Sequence, residues 1–163
     1  MAAVSVHDVL EHIRKLILIE DSSRVENTSA KLAYRIDYDP SLPDIAADRE
    51  QLIQAFLNIV RNAMHAMDND GEFTVRTRVE RQFTIGKTRH RQVLRVDFID
   101  SGPGIPDKLR ETLFYPLVTG RAEGTGLGLS ITQEIIRRFG GQIDVQSQPG
   151  NTMFSVYLPF FKS

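Results

Sequence analysis

The sequence predicts an α/β two-layer sandwich, in which helices cover one face of a mixed, mainly antiparallel sheet. Apolar residues recur at helical spacing in three segments and alternate with polar residues in the segments between them. Turn residues separate the alternating segments, and two pairs of these segments are typical of hairpins. Helices mixed with mainly antiparallel strands bury their apolar sides by packing as two layers.

The first half of the chain is predicted to contain two helices and one strand. Apolar spacing predicts an amphipathic helix over residues 7–19, followed by a polar loop over residues 21–29. Alternation predicts a strand over residues 32–37, and the sequence DPSLP predicts a turn after it. A short stretch, residues 44–47, leads into a long helix over residues 49–67. The apolar face of this helix carries Ile53, Phe56, Val60, Ala63 and Met67.

The second half is predicted to contain two hairpins and a glycine-led helix. The turn NDG ends the long helix, and strands follow over residues 72–85 and 92–99, joined by the basic turn GKTRHR. The segment DSGPGIP, a short element near residues 108–114 and the loop PLVTGRAEGTG precede the second long helix, which a Gly-Gly pair ends. Strands over residues 142–146 and 152–160 flank the turn QPGN.

Composition restricts the function classes. A chain of 163 residues, 41% hydrophobic and 25% charged, is long enough for one globular domain with a sizeable core. The absence of cysteine excludes disulfides, thiolate zinc sites and thiol nucleophiles. A net charge of −1 without a long Lys/Arg run argues against a nucleic-acid partner. No apolar stretch is long enough to span a bilayer, so we expect a cytoplasmic domain without membrane contact.

The run GTGLGLSI is the most informative segment. Gly124, Gly126 and Gly128 lack Cβ, so backbone N–H groups can approach an anion, and the following helix adds its positive end. The Lys-Ser/Thr pair of a P-loop and the spacing of a Rossmann turn are both missing. The segment is therefore either a phosphate cradle or only a tight turn before a helix. The apolar positions of that helix are Ile131, Ile135 and Phe139.

Three polar residues form a row on the long helix. Asn58, Asn62 and His65 fall within about 60° of one another, on the side opposite the apolar stripe. Asn is a poor helix former, so two in one row need an explanation. The row is either a solvated face or a set of amides and an imidazole directed at a metal–phosphate group, since neutral amides suit Mg²⁺ when phosphates supply the negative charge.

Two predicted strands each carry a polar residue at one end of the face that points toward the core. Asp100 and Thr152 each keep the parity of the apolar residues in their own strand. A buried, unpaired carboxylate is unfavourable, so Asp100 either closes a turn with its neighbours or accepts a hydrogen bond from the exocyclic amine of an adenine. In the second case Gly102 and Gly104 leave room for the base. Thr152 is a common strand residue, but two such positions indicate one shared polar site.

The segments NIVRNAMHAM, DSGPGIP, GTGLGLSI and PGNTMFSVYLP follow one another across residues 48–160. Together they resemble the N box and glycine boxes of the GHKL superfamily, which includes histidine kinases, gyrase and MutL. The segment LFYPLVTGRAEGTGLGL resembles the F box and lid of sensor histidine kinases, and residues 38–67 are similar to their nitrogen-regulation group. The resemblance implies a Bergerat-type ATP-binding fold, with residues 1–30 as a leading helix and loop, 48–160 as the nucleotide-binding core and 115–125 as an ATP lid.

The resemblance also implies roles for individual residues. Asn62 and Asn58 would face Mg²⁺ and the phosphates, and His65 and Arg121 would be basic phosphate ligands. Asp100 would bind the adenine. The residues implied to surround the adenine are Gly102, Gly104, Ile105 and Thr152. The residues implied to cover the phosphates are Gly124, Thr125, Gly126, Leu127 and Gly128.

Two departures from the resemblance bear on the reaction. Gyrase-like relatives carry a water-activating Glu at the position of Asn58, and an amide cannot act as a general base near pH 7. This favours transfer of the γ-phosphoryl group to a side chain over hydrolysis. The four histidines, at positions 7, 12, 65 and 90, lie outside any phosphoacceptor segment. We therefore expect the catalytic domain alone, with the acceptor histidine on a dimerisation domain outside this sequence.

The ligands that the resemblance implies are ATP and Mg²⁺. The implied partners are a histidine-bearing dimerisation domain, a response regulator and a PII-type signal protein. Two alternatives stay open: a stand-alone protein-serine kinase and anti-sigma factor of the same superfamily, and a nucleotide sensor without catalysis. Transfer to a serine of a separate small protein would identify the first, and tight ATP binding without transfer would identify the second.

Overall fold

A computed structural model describes residues 1–24, 31–110, 113–114 and 127–162. The elements in these ranges are a mixture of helices and strands, as the sequence predicts. In chain order they are β1 (Ala2–Val4), α1 (Val6–Arg24), β2 (Leu32–Asp37), β3 (Ile45–Ala47), α2 (Arg49–Ala66), β4 (Gly71–Ile85), β5 (Thr88–Asp100), α3 (Asp107–Arg110), α4 (Leu127–Arg138), β6 (Gln142–Gln148) and β7 (Asn151–Pro159). None of the described helices is both long and apolar enough to cross a membrane.

The larger sheet has the strand order β2-β4-β5-β7-β6. β2 runs parallel to β4, and the other neighbouring pairs are antiparallel. β1 and β3 form a separate antiparallel pair. The predicted mixed, mainly antiparallel sheet is therefore confirmed. The antiparallel order places the end of β5 beside the start of β7, because Asp100 pairs in register with Thr152.

The core lies between the helices and the inward-facing residues of the sheet. Phe56 of α2 packs on Phe98 of β5 with ring centroids 5.2 Å apart, and both side chains are buried. Losing one such ring to alanine costs about 3–5 kcal/mol in a typical core. These contacts fix α2 over the centre of the sheet, so the position of its C-terminal end follows from core packing.

Helix α2 has a defined start and end. The Asp48 side chain accepts a hydrogen bond from the backbone N–H of Gln51 at 3.0 Å, which caps the helix. After the helix, Asp68 and Asn69 adopt left-handed backbone conformations with φ of 53° and 56°. Asn tolerates this conformation better than most residues, and the resulting turn leads directly into β4.

Three predictions about the elements are wrong. Helix α1 continues to Arg24, so residues 21–24 are helical and not part of a loop. The β4–β5 turn contains only two residues, because strand pairing continues to Ile85 and Thr88. Ile131 is 47% exposed, because the side of α4 that packs on the core is displaced from the predicted one. The buried residues on α4 and just after it are Leu129, Thr132, Ile135, Ile136 and Phe139.

Candidate active site

Asp100 is a buried carboxylate at the end of β5. It is 4% exposed, and its Oδ1 accepts a hydrogen bond from the Gly102 N–H at 2.9 Å. Burial raises the pKa of Asp100 above its ordinary value, and the Gly102 N–H opposes this effect. The inward direction predicted from strand parity is confirmed. A buried carboxylate that has one such bond within the described residues retains capacity to accept another from a ligand.

Thr152 lies opposite Asp100 on β7 and is 3% exposed. Its Oγ1 is 2.7 Å from Ser147 Oγ, and Ser147 Oγ also accepts a hydrogen bond from the Ile105 N–H at 2.8 Å. The predicted inward parity of Thr152 is thus confirmed. Ser147 is not among the site residues predicted from the sequence, although it pairs directly with Thr152 across the β6–β7 hairpin. It fixes the loop after Asp100 against β6 and holds the Thr152 hydroxyl.

The two glycines after Asp100 let the loop lie close to other backbone. A Cβ on Gly102 would lie 3.0 Å from Asp100 Oδ1 and 3.3 Å from the Ala66 carbonyl oxygen. Gly104 has a φ of 92°, and its Cβ would lie 2.9 Å from the Gln148 carbonyl oxygen. The loop is therefore confined between the end of α2 and the β6–β7 turn, where larger residues do not fit.

Gly104→Ala is expected to lower the free energy of unfolding by about 2–3 kcal/mol, because it combines left-handed strain with a backbone clash. Gly150→Ala is the matched control: its φ is 86°, but no atom lies within 4 Å of the added Cβ. The control therefore incurs only the conformational penalty, about 1 kcal/mol. Urea unfolding of both variants measures the difference. Equal losses would contradict the close approach at Gly104.

The asparagine row lies where α4 packs on α2. Asn58 Nδ2 donates to Thr132 Oγ1 at 3.5 Å, and Thr132 Oγ1 donates to the Ala55 carbonyl at 3.4 Å. Asn62 is half-buried, and its Nδ2 is buried without a hydrogen-bond partner among the described residues. His65 is exposed. Asn58 therefore does not lie on a fully solvated face, because Thr132 of α4 contacts it.

The loop after Asp100 packs on the C-terminal end of α2, the helix that carries the asparagine row. Gly102 lies against the Ala66 carbonyl, and Ser101 Oγ is 3.5 Å from Met67 Sδ. The Asn58–Thr132 bond ties the row to α4. Thr132 lies five residues after the start of α4, which is about 8 Å along the helix axis. Helix α2 therefore positions both the loop after the buried carboxylate and the two amides.

Part of the predicted site falls outside the described residues. Within α4, Leu127 and Gly128 form the start of the helix, as the glycine-led pattern predicts. Ile105 is half-buried and packs against the core through its side chain. The predicted site residues that lie outside the described ranges are Arg121, Gly124, Thr125 and Gly126, together with the predicted lid over residues 115–125.

Known proteins resemble this chain over most of its length. The chain is 47% identical to the sensory histidine kinase/phosphatase NtrB of Klebsiella oxytoca over 159 residues, which are 97% of this chain and 44% of that protein. It is 44% identical to NtrB of Vibrio alginolyticus over 160 residues, again 97% and 44%. The chain thus spans less than half the length of these curated relatives.

Solved structures and a family match agree with these likenesses. The catalytic domain of histidine kinase ThkA is 28% identical, with a TM-score of 0.74 over 97% of this chain and 94% of that one. ThkA in complex with the response regulator protein TrrA is 25% identical, with a TM-score of 0.71 over 98% of this chain and 42% of that one. Residues 47–162, which include every segment of the site, match the histidine kinase-, DNA gyrase B- and HSP90-like ATPases. The chain belongs to this ATPase family.

Proposed function

We propose that this chain binds ATP with Mg²⁺ and transfers the γ-phosphoryl group to a histidine of a separate helical domain. The observation that carries the proposal is that the loop after Asp100 packs on α2, the helix that carries Asn58 and Asn62. The base end of the proposed site is the buried Asp100 beside Thr152, which suits a base that donates a hydrogen bond. The phosphate end is the amide row, which suits phosphates and a metal ion.

At the base end, the buried carboxylate favours adenine over guanine. Adenine carries an exocyclic amine that donates to Asp100, whereas guanine carries a carbonyl oxygen at the corresponding position, which the carboxylate repels. The space beside Gly102 and Gly104 is taken up by the end of α2 and the β6–β7 turn, so these glycines fix the loop beside Asp100 and do not make the room for the base that the sequence predicts. The Ser147–Thr152 pair holds a hydroxyl next to the carboxylate, so the polar groups of the pocket are arranged before a ligand arrives.

At the phosphate end, the amides of Asn62 and Asn58 fit Mg²⁺ only together with phosphate oxygens, because they supply neutral oxygen ligands and no charge. Rotation of the Asn62 amide presents either its oxygen or its nitrogen, and the nitrogen has no hydrogen bond to lose within the described residues. When bound, Mg²⁺ neutralises charge on the β- and γ-phosphates. The side chains of this protein would position the metal ion and the phosphates and form hydrogen bonds to them.

Transfer to an imidazole fits these groups better than hydrolysis. A lone pair of the acceptor nitrogen forms a bond to the γ-phosphorus, the bond to the bridging oxygen breaks, and ADP leaves with that electron pair. An imidazole nitrogen with a lone pair needs no base to attack, whereas water does. Asn58 is an amide held by Thr132, so it supplies no base. A relative solved with a response regulator supports an aspartate of such a partner as the next acceptor.

The test is a transphosphorylation assay with γ-labelled ATP and a separately produced histidine-bearing helical domain. We expect Mg²⁺-dependent label on that domain that is stable in alkali and lost in acid, which is the chemistry of phosphohistidine. Acid-stable label on a serine would support the protein-serine kinase instead. Tight ATP binding without transfer to any acceptor would overturn the kinase proposal and favour a nucleotide sensor.

A further inference from the structure

The hairpin of β4 and β5 extends beyond its neighbours in the sheet. β2 pairs with β4 only as far as Arg76, and β7 pairs with β5 only from Val93. β4 and β5 themselves remain paired to Ile85 and Thr88. We name residues 81–92 the ribbon. Within the described part of the chain no strand covers its outer edges, so their outward backbone groups are available for pairing.

The ribbon is tied to the rest of the fold. Gln82 has a φ of 53°, a conformation that is uncommon for a residue other than glycine and that bends the strand. Its side chain accepts a hydrogen bond from Arg89 Nε at 3.2 Å, which joins the two strands at the bend. Phe83 stacks on Tyr157 of β7 with ring centroids 4.2 Å apart. These contacts hold the ribbon in one position relative to the sheet.

A groove separates the ribbon from the C-terminal end of α4. Its volume is about 600 Å³. Ile85, Ile143 and Pro159 contribute apolar surface to it, and His90 and Arg137 contribute nitrogen donors. We name this cavity the ribbon groove. It thus combines an apolar lining with the Arg137 guanidinium and an open strand edge.

The charge around the ribbon groove has one sign. The ribbon has four cationic residues, all exposed, and no aspartate or glutamate: Arg81, Lys87, Arg89 and Arg91. Across the groove, Arg137 adds a fifth exposed cation. Within the described ranges, none of the five forms an ion pair with a carboxylate. The whole chain has a net charge of −1, so this positive region is a local feature.

We propose that the ribbon groove binds an extended, acidic segment of a partner protein. Such a segment would pair with an open edge of the ribbon, place alternate apolar side chains into the groove and direct its carboxylates at the cations. The alternative is that the cations of the ribbon serve only to prevent pairing with other strand edges. That role does not explain the apolar groove beside them. Single-stranded nucleic acid would need aromatic faces for its bases, but Phe83 is already stacked on Tyr157.

The ribbon groove is separate from the proposed nucleotide site, so this inference goes beyond the proposed function. β5 runs from Thr88 at the groove to Asp100 at the site, and twelve residues of strand span about 40 Å. Substitutions in the ribbon should therefore leave nucleotide binding intact. Nucleotide affinity then reports whether a ribbon variant is folded.

The test uses fluorescence anisotropy with a labelled peptide of about ten alternating glutamate and valine residues, a length that spans one strand edge. The variant carries Lys87→Glu, Arg89→Glu and Arg91→Glu. The control carries Lys15→Glu, Arg49→Glu and Lys162→Glu, which change the net charge equally at exposed positions elsewhere. We expect the ribbon variant to bind the peptide about tenfold more weakly or worse, and the control to bind it like the unmodified chain.

Competition and mapping complete the test. Amide shifts on peptide addition should concentrate at residues 83–92 and 137–143 and should spare residues 100–105. Absence of peptide binding to the unmodified chain, or equal weakening in both triple variants, would overturn the proposal. Tighter binding of an oligothymidine of equal charge than of the peptide would also overturn it, in favour of a nucleic-acid site. Calorimetry with ATP establishes that the ribbon variant keeps the nucleotide affinity of the unmodified chain.

Discussion

Asn62→Ala is expected to lower phosphoryl transfer about 100-fold or more, which is the usual loss when one group that stabilises transition-state charge is removed. It should leave the thermal midpoint of unfolding nearly unchanged. The reason is that Asn62 Nδ2 makes no hydrogen bond within the described residues, so its removal breaks none there. Single-turnover transfer and Mg²⁺-dependent ATP affinity are the measurements.

Two further variants make the Asn62 result specific. Gln54→Ala removes an exposed amide from the same helix and should have no effect on transfer. Asn62→Asp keeps the oxygen ligands but adds a negative charge beside the phosphates, so its ATP affinity should fall and then recover as the Mg²⁺ concentration rises. If Asn62→Ala bound ATP with Mg²⁺ and transferred phosphate like the unmodified chain, the row would be an ordinary helix face.

Asp100→Asn is expected to weaken ATP binding by about 2–4 kcal/mol, or roughly 30- to 1,000-fold, because a donor replaces the acceptor that faces the adenine amine. The same change should narrow the preference for ATP over GTP, since an amide can donate to the guanine carbonyl. Calorimetry with both nucleotides measures this. Asp144→Asn, an exposed position on β6, is the control. Unchanged ATP affinity in a folded Asp100→Asn variant would contradict the role of Asp100.

The same variant should not destabilise the protein without nucleotide. The asparagine oxygen can still accept the hydrogen bond from the Gly102 N–H. The substitution also removes a carboxylate, and burial raises the pKa of that carboxylate above its ordinary value of 3.8. A native pKa above the unfolded one means that the native state binds more protons in that window, so the unmodified chain loses stability as pH rises through it. The stability of Asp100→Asn relative to the unmodified chain should therefore increase as pH rises above 3.8. Urea unfolding across pH tests the sign, and a constant difference would contradict it.

The boundaries of the strands show which structural features can be predicted from local sequence. The strand predicted over residues 32–37 matches β2, because its alternation and the turn after it are both local. The β4–β5 turn was predicted too long, because basic residues are typical of both loops and exposed strand edges. Only pairing across the hairpin decides between these two, and it continues to Ile85 and Thr88.

The sequence alone determined the fold class, the inward direction of Asp100 and Thr152 and the glycine-led helix, because periodicity and side-chain size are properties of local segments. Only the tertiary structure decided which other residues the side chains of the site contact. The contact between Asn58 and Thr132 depends on how two helices pack, and the bond between Ser147 and Thr152 depends on strand register. The ribbon groove joins the β4–β5 hairpin to the end of α4, which lies about 50 residues later in the chain. No local sequence pattern encodes these contacts between distant segments, because they follow from the packing of whole elements on one core.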